Sequence, residues 1–264
     1  MVVCGTLRFF AELNLIKKEK GSLNLITCTY PKNNRVAQVL QHLGIFKMLN
    51  LNCSITPDRD DVINWKTASG ENTDTTKAGE ILETQSNLPR KKSKNLYRGV
   101  SEAMTNVSQH AYLDIKETAK RKGWWMFCKE ENDQIFVAFC DLGAGIPVTL
   151  PQSLEKNNEK KLFVQIWKFF FPNRKKLTDG ELIRVAIEVK RSRTKKSHRG
   201  KGLLDMIKVI EKTKCGNLAI FSNRGIYQYK LDNSNPIENT RNYKYSISGT
   251  LILWSLPLKI EGKK

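Results

Sequence analysis

From Leu96 to Leu258 the spacing of apolar residues switches between helical and strand-like periods, and this alternation constrains the fold more than any other feature. Leu96, Val100, Ala103 or Met104, Val107, Ala111 and Ile115 fall on one face of a helix that Lys120 to Gly123 ends. Two strand-like runs follow, WWMFCKE and QIFVAFCD, joined by the turn-rich ENDQ. NLAIFS, GIYQYKL and TLILWSL come later, and Asn223-Arg224-Gly225 supplies a hairpin turn between the first two. Between these groups the pattern predicts three helices. One covers Lys160 to Phe171, one begins at Thr178, where Thr178 and Glu181 have capping-box spacing, and one covers Leu203 to Lys212. This order predicts an α+β protein: a two-layer sandwich with helices on one face of a mixed, mostly antiparallel sheet.

The preceding residues divide in two. Residues 1–60 mix short apolar runs such as SLNLITCTY with a helical stretch, Arg35 to Leu49. Residues 61–94 are polar and read as a linker ahead of the main domain, residues 95–264.

Charge narrows the class of partner. With 45 Lys and Arg against 26 Asp and Glu, the net charge is +19, which favours anionic partners such as nucleotides, nucleic acid or acidic proteins. No run approaches the roughly 18 apolar residues of a membrane span, so no membrane partner is expected. The opening residues lack a secretory pattern, and a cytoplasmic location is expected. Cys4, Cys28, Cys53, Cys128, Cys140 and Cys215 form no C-x-x-C pair; they are expected to be reduced core residues rather than zinc ligands.

Three short segments carry chemistry. Glu102-Ala-Met-Thr-Asn106, continued by His110, places a carboxylate and an amide on one helical stripe, where they could orient water and ligate Mg²⁺. In isolation such a stripe is more often a solvated polar face. Asp141-Leu-Gly143-Ala-Gly145 directly follows a strand; its glycines admit φ > 0 and close ligand approach, and its Asp could accept from an exocyclic amine. A plain tight loop has the same composition. His198-Arg199-Gly200-Lys201-Gly202-Leu203 opens a helix, and its backbone N–H groups with Arg199 and Lys201 suit phosphate, as a mobile basic loop also would.

In order along the chain, E-x-x-x-N, D-x-G-x-G, G-x-G-L and a late Gly249-Thr250 resemble the motifs of the gyrase, heat-shock chaperone, histidine kinase and mismatch-repair ATPases, the Bergerat fold. The resemblance implies ATP and Mg²⁺ as ligands. Asn106 would hold the metal, and Glu102 would be the base that polarises water or a substrate hydroxyl. Asp141 would bind the adenine amine with support from Thr250, and Gly143 and Gly145 would permit the pocket. Arg199, Gly200, Lys201, Gly202 and Leu203 would close over the phosphates, and residues 146–199 would include the lid.

SEAMTNVSQHAY looks most like the anti-sigma-type serine kinases and the simpler histidine-kinase-like ATPases. LNLITCTYPKNNRVAQVLQHLGIFKML, within residues 1–60, resembles a shortened sulfate-transporter/anti-sigma-antagonist (STAS) part, without the phosphorylatable residue in its loop Pro31 to Asn34. The expected function is an Mg²⁺-dependent ATP-binding protein, a slow ATPase switch or a Ser/Thr kinase, that regulates a protein partner and could dimerise. The alternative is a basic nucleic-acid-binding module with a regulatory or vestigial ATP site, contacting nucleic acid non-specifically through Lys190 to Lys201.

Overall fold

The strands, numbered in chain order, are β1 (Lys66–Gly70), β2 (Trp124–Glu131), β3 (Gln134–Asp141), β4 (Asn217–Ser222), β5 (Gly225–Asp232), β6 (Asn235–Asn242) and β7 (Thr250–Pro257). They form one open sheet in the order β1-β2-β3-β7-β4-β5-β6. The computed structural model describes residues 3–21, 26–84, 88–112, 122–193, 202–232 and 235–258. Every strand pairing among them is antiparallel, so the expected mixture of directions is not found.

The expectation of helices on one face is corrected: both faces of the central strands are covered. Trp124, Met126, Val137, Phe139, Ile252 and Trp254 pack beneath α6 (Arg90–Asn106) and α10 (Gly202–Thr213). On the opposite face Trp125, Phe127, Ala138, Cys140 and Leu251 pack beneath α1 (Val3–Lys20), α2 (Asn34–His42) and α3 (Ile45–Met48). The cause lies in the strands themselves. WWMFC is apolar at successive positions, whereas a half-solvated antiparallel strand alternates. Each fully buried large apolar side chain stabilises by roughly 1.5–3 kcal/mol, so neither face could be left wet.

Residues 61–94 are not merely a linker. They contain α4 (Asp60–Ile63) in part, the edge strand β1, α5 (Thr76–Thr84) and the first turn of α6. β1 pairs with β2, and Trp124 Nε1 donates to Asn72 O at 2.7 Å, joining this segment to the sheet. Of the apolar run SLNLITCTY, residues 26–30 take no regular structure, and the helix expected over 35–49 is split by Gly44 at φ +71° into α2 and α3.

Several local expectations hold. Asn132 and Asp133, at φ +52° and +56°, make the two-residue turn between β2 and β3 that the strand twist favours. The capping box is reciprocal: Thr178 N–H donates to Glu181 Oε2 at 2.8 Å and Glu181 N–H to Thr178 Oγ1 at 3.4 Å, opening α9 (Asp179–Arg193). Before it come α7 (Ile146–Lys156) and α8 (Lys160–Phe170), and these three helices share a small core around Leu154, Ile166, Val185 and Val189. Cys128 and Cys140 are buried as expected, but Cys28 is exposed and Cys4, Cys53 and Cys215 are half-buried. Among the described residues no helix is long and apolar enough to cross a membrane.

Candidate functional site

A polar row crosses one end of the sheet. Asp141 at the end of β3 lies opposite Thr250 on β7, and Thr250 lies opposite Ser222 on β4. All three are buried. Gly143 N–H donates to Asp141 Oδ1 at 2.8 Å, and the Thr250 hydroxyl and N–H also bond that carboxylate. Ser222 Oγ lies 3.1 Å from Thr250 Oγ1, donates to Gly249 O and accepts from Ile146 N–H at 2.8 Å, at the start of α7. Burial pushes the Asp141 carboxyl up from 3.8 to about 6, against those hydrogen bonds and the charge of Arg8.

This row borders a cavity of about 790 Å³, within the range of small-molecule sites. Glu102, Asn106, Asp141, Gly145, Gly202, Leu203 and Thr250 line it together, although they come from four separate stretches of sequence. Gly143 does not line it; its role is steric. A Cβ there would lie 2.3 Å from Ala111 O, and the same carbonyl accepts from Ala144 N–H at 2.8 Å. Gly145 is the one of the pair with positive φ, +85°. Arg199, Gly200 and Lys201 lie outside the described residues, as do Ile115 and Lys120.

The wall opposite the loop is α6 and its continuation. The regular helix stops at Asn106, and Val107–Ala111 form a π-helical turn. The wider turn alters the simple four-residue stripe expected for Glu102, Asn106 and His110, yet all three border the cavity. Burial and the nearby Asp205 carboxylate raise the Glu102 carboxyl, with Arg98 and Lys208 acting against them. Burial, Lys156 and Lys190 lower the His110 imidazole. Lys156 and Lys190 border the cavity too, from α7 and α9.

The cavity is lined by both carboxylate and cationic side chains, Glu102, Asp141 and Asp205 with Arg98, Lys156 and Lys190. Among the described residues no group of three or more His, Cys, Asp or Glu could hold an ion. Two cations of the basic segment, Lys190 and Arg191, are engaged within the fold, while residues 194–201 lie outside the described residues. Lys190 Nζ pairs with the buried Glu159 at 3.1 Å, and Arg191 Nη1 bonds Glu188 at 2.6 Å and Glu238 at 2.7 Å.

Sequence reasoning missed Ser222 and Asn223. Asn223 Nδ2 donates to Ala144 O at 2.9 Å, and its Oδ1 accepts from Gly249 N–H at 3.3 Å, tying the glycine loop to the approach to Thr250. Its sequence signal was that of an ordinary turn. No family model matches the chain, and no curated protein matches it significantly.

Proposed function

We propose that this chain binds Mg²⁺–ATP in the 790 Å³ cavity and acts as a nucleotide-dependent switch on a protein partner, by slow hydrolysis or by phosphotransfer to a Ser or Thr. One observation carries the reading: Asp141 is a buried carboxylate, held by Gly143 and Thr250, that borders the same cavity as Glu102, Asn106 and Gly202. A carboxylate withdrawn from water gains most from a ligand that brings its own N–H donors, as an adenine amine does. The resemblance to Bergerat-type ATPases assigns the same residues to the same roles.

Within this reading each side chain has a task. Ionised Asp141 accepts the base amine, and Thr250, itself braced by Ser222, holds the carboxylate in place. Asn106 would hold Mg²⁺, which when bound would supply charge neutralisation at the phosphates. Glu102 accepts a proton from water or from a partner hydroxyl, and its raised proton affinity brings it nearer to neutral pH than an ordinary carboxylate. α7 and α9 supply one wall of the cavity, through Thr149, Leu150, Ala186 and Lys190.

The test is to incubate the chain with γ-labelled ATP and Mg²⁺, with and without candidate protein partners, alongside Asp141→Asn. Free labelled phosphate identifies a hydrolase, and labelled protein identifies a kinase. A parent protein that neither binds nor turns over ATP overturns the proposal.

A further inference from the structure

α1 reaches the polar row from the face of the sheet opposite the cavity. Its Arg8 Nη1 donates to Ser248 O at 2.7 Å, while Nη2 bonds Glu12 Oε1 at 2.5 Å one turn along the same helix. Glu12 therefore orients the guanidinium, and only a fifth of the Arg8 side chain is exposed. The acceptor is in an unusual stretch of backbone. Ser248 and Gly249 have φ +49° and +118°, and a Cβ on Gly249 would lie 2.4 Å from Asp141 O. The next residue is Thr250.

Ser248, a non-glycine residue with positive φ, needs outside support, because such backbone is costly unless its surroundings hold it, whereas Gly249 takes its positive φ freely and lets the chain pass close to β3. Asn223 holds the turn through Gly249 N–H, Ser222 Oγ through Gly249 O and Ser246 Oγ through Ser248 N–H, and Arg8 is the support that reaches it from α1, through Ser248 O. We infer that Arg8 is a positioning residue for the nucleotide site: through Ser248 it fixes the turn that sets Thr250 against Asp141, so that nucleotide affinity depends on how α1 is seated. This inference rests on the nucleotide reading above. It makes residues 1–60 part of the site's machinery, and by reciprocity anything that displaces α1 lowers nucleotide affinity while nucleotide resists that displacement.

The groups facing Asp141 can be named. Arg8 comes from α1, the Tyr112 phenol from the end of the π turn, the Cys140 thiol from β3 itself, and Glu12 and Cys4 of α1 face Cys140. Burial raises Tyr112 and Cys140 and carries Cys4 to about 11, so all three stay neutral between pH 5 and 8. Arg8 is the cation of this group, and Glu12 is already engaged with it.

The experiment titrates ATP against the full chain, Arg8→Gln, Arg8→Lys and Asp141→Asn, from pH 5 to 8. Loss of a charge-assisted hydrogen bond at the turn is expected to weaken ATP binding about tenfold in R8Q. The pH at which binding is half lost should move upward in R8Q and stay near the parent value in R8K, which should recover most of the affinity. A purely structural role for Arg8 would leave that midpoint unmoved. Should R8Q fold poorly, Arg8→Met, of similar reach and without donors, takes its place with the same expected loss. If D141N loses binding but R8Q keeps parental affinity and midpoint, the Arg8 inference is overturned and the nucleotide reading stands. If the parent itself does not bind, the nucleotide reading falls and takes the inference with it.

Discussion

Gly202 and Asn106 meet so closely that a Cβ on Gly202 would lie 2.9 Å from Asn106 Oδ1. The first residue of α10 thus abuts the one side chain proposed to ligate Mg²⁺, and there is no space for even a methyl group between them.

Gly202→Ala is therefore expected to turn the Asn106 side chain and to weaken ATP binding about tenfold in the presence of Mg²⁺, with little change in its absence. A helical glycine replaced by alanine gains some helix propensity, so the melting temperature should hold or rise slightly. Titration with and without EDTA checks both halves, and equal affinities in parent and variant would separate Gly202 from the metal.

Asp141 sets two opposed pH dependences. Its carboxyl is about 6 in the fold and 3.8 ordinarily, so below about pH 4 both states carry the proton and stability is complete. As pH rises through 6 the folded state must hold a buried charge, and stability falls by an amount on the order of 3 kcal/mol. Nucleotide affinity should rise over the same interval, because the ionised form accepts the amine. Asp141→Asn is expected to abolish most nucleotide binding and to be more stable than the parent at pH 7, with the difference vanishing near pH 4. Denaturant melts at both pH values decide this.

Glu102→Gln should keep ATP affinity within about twofold and lose 10²–10⁴-fold in turnover, the typical contribution of a positioned base. Because burial and Asp205 raise the Glu102 carboxyl, parent turnover should still be rising with pH above the ordinary glutamate value of 4.5. A single-turnover assay with labelled ATP measures it. Undiminished turnover would remove Glu102 from the chemistry.

The Lys190–Glu159 pair anchors α9 to the turn after α7, and Glu159 is only 3% exposed. Glu159→Gln strands the lysine charge and is expected to cost about 1–3 kcal/mol, reduced because Lys190 keeps some solvent access. Adding Lys190→Met should restore more than half of that loss. A double-mutant cycle in urea tests the coupling, and additive losses would show that the pair contributes nothing.

Sequence pattern carried the parts of this fold that depend on side chains. The runs that became β2, β3, β4, β5 and β7 are rich in large apolar residues, and the near-unbroken burial of β2 and β3 reflects two covered faces, whereas β4 and the later part of β5 alternate. β1 and β6 escaped notice because edge strands depend on backbone pairing. KTASG buries only Ala68, and NPIENTRN buries no residue fully. The site divides in the same way. Asp141, Glu102, Asn106 and Gly202 stood out by residue type and spacing. Ser222, Asn223 and Arg8 act through partners far away in sequence, Arg8 and Ser248 being 240 residues apart, and no local pattern reports such contacts.

The place of β7 has a kinetic consequence. Among the described residues it is the last strand in sequence, yet it lies between β3 and β4 and its hydrogen bonds join the β1–β3 and β4–β6 halves of the sheet. Until residues 250–257 are made, the first half has an unpaired edge of apolar strand and the second cannot join it. Closure then brings together segments more than 100 residues apart, a step expected to be slow and exposed to misassembly. Since the same strand begins with Thr250, closing the sheet also completes the polar row with Asp141 and Ser222, and a nucleotide that binds beside that row should raise the yield of refolded protein by stabilising the closed sheet through mass action.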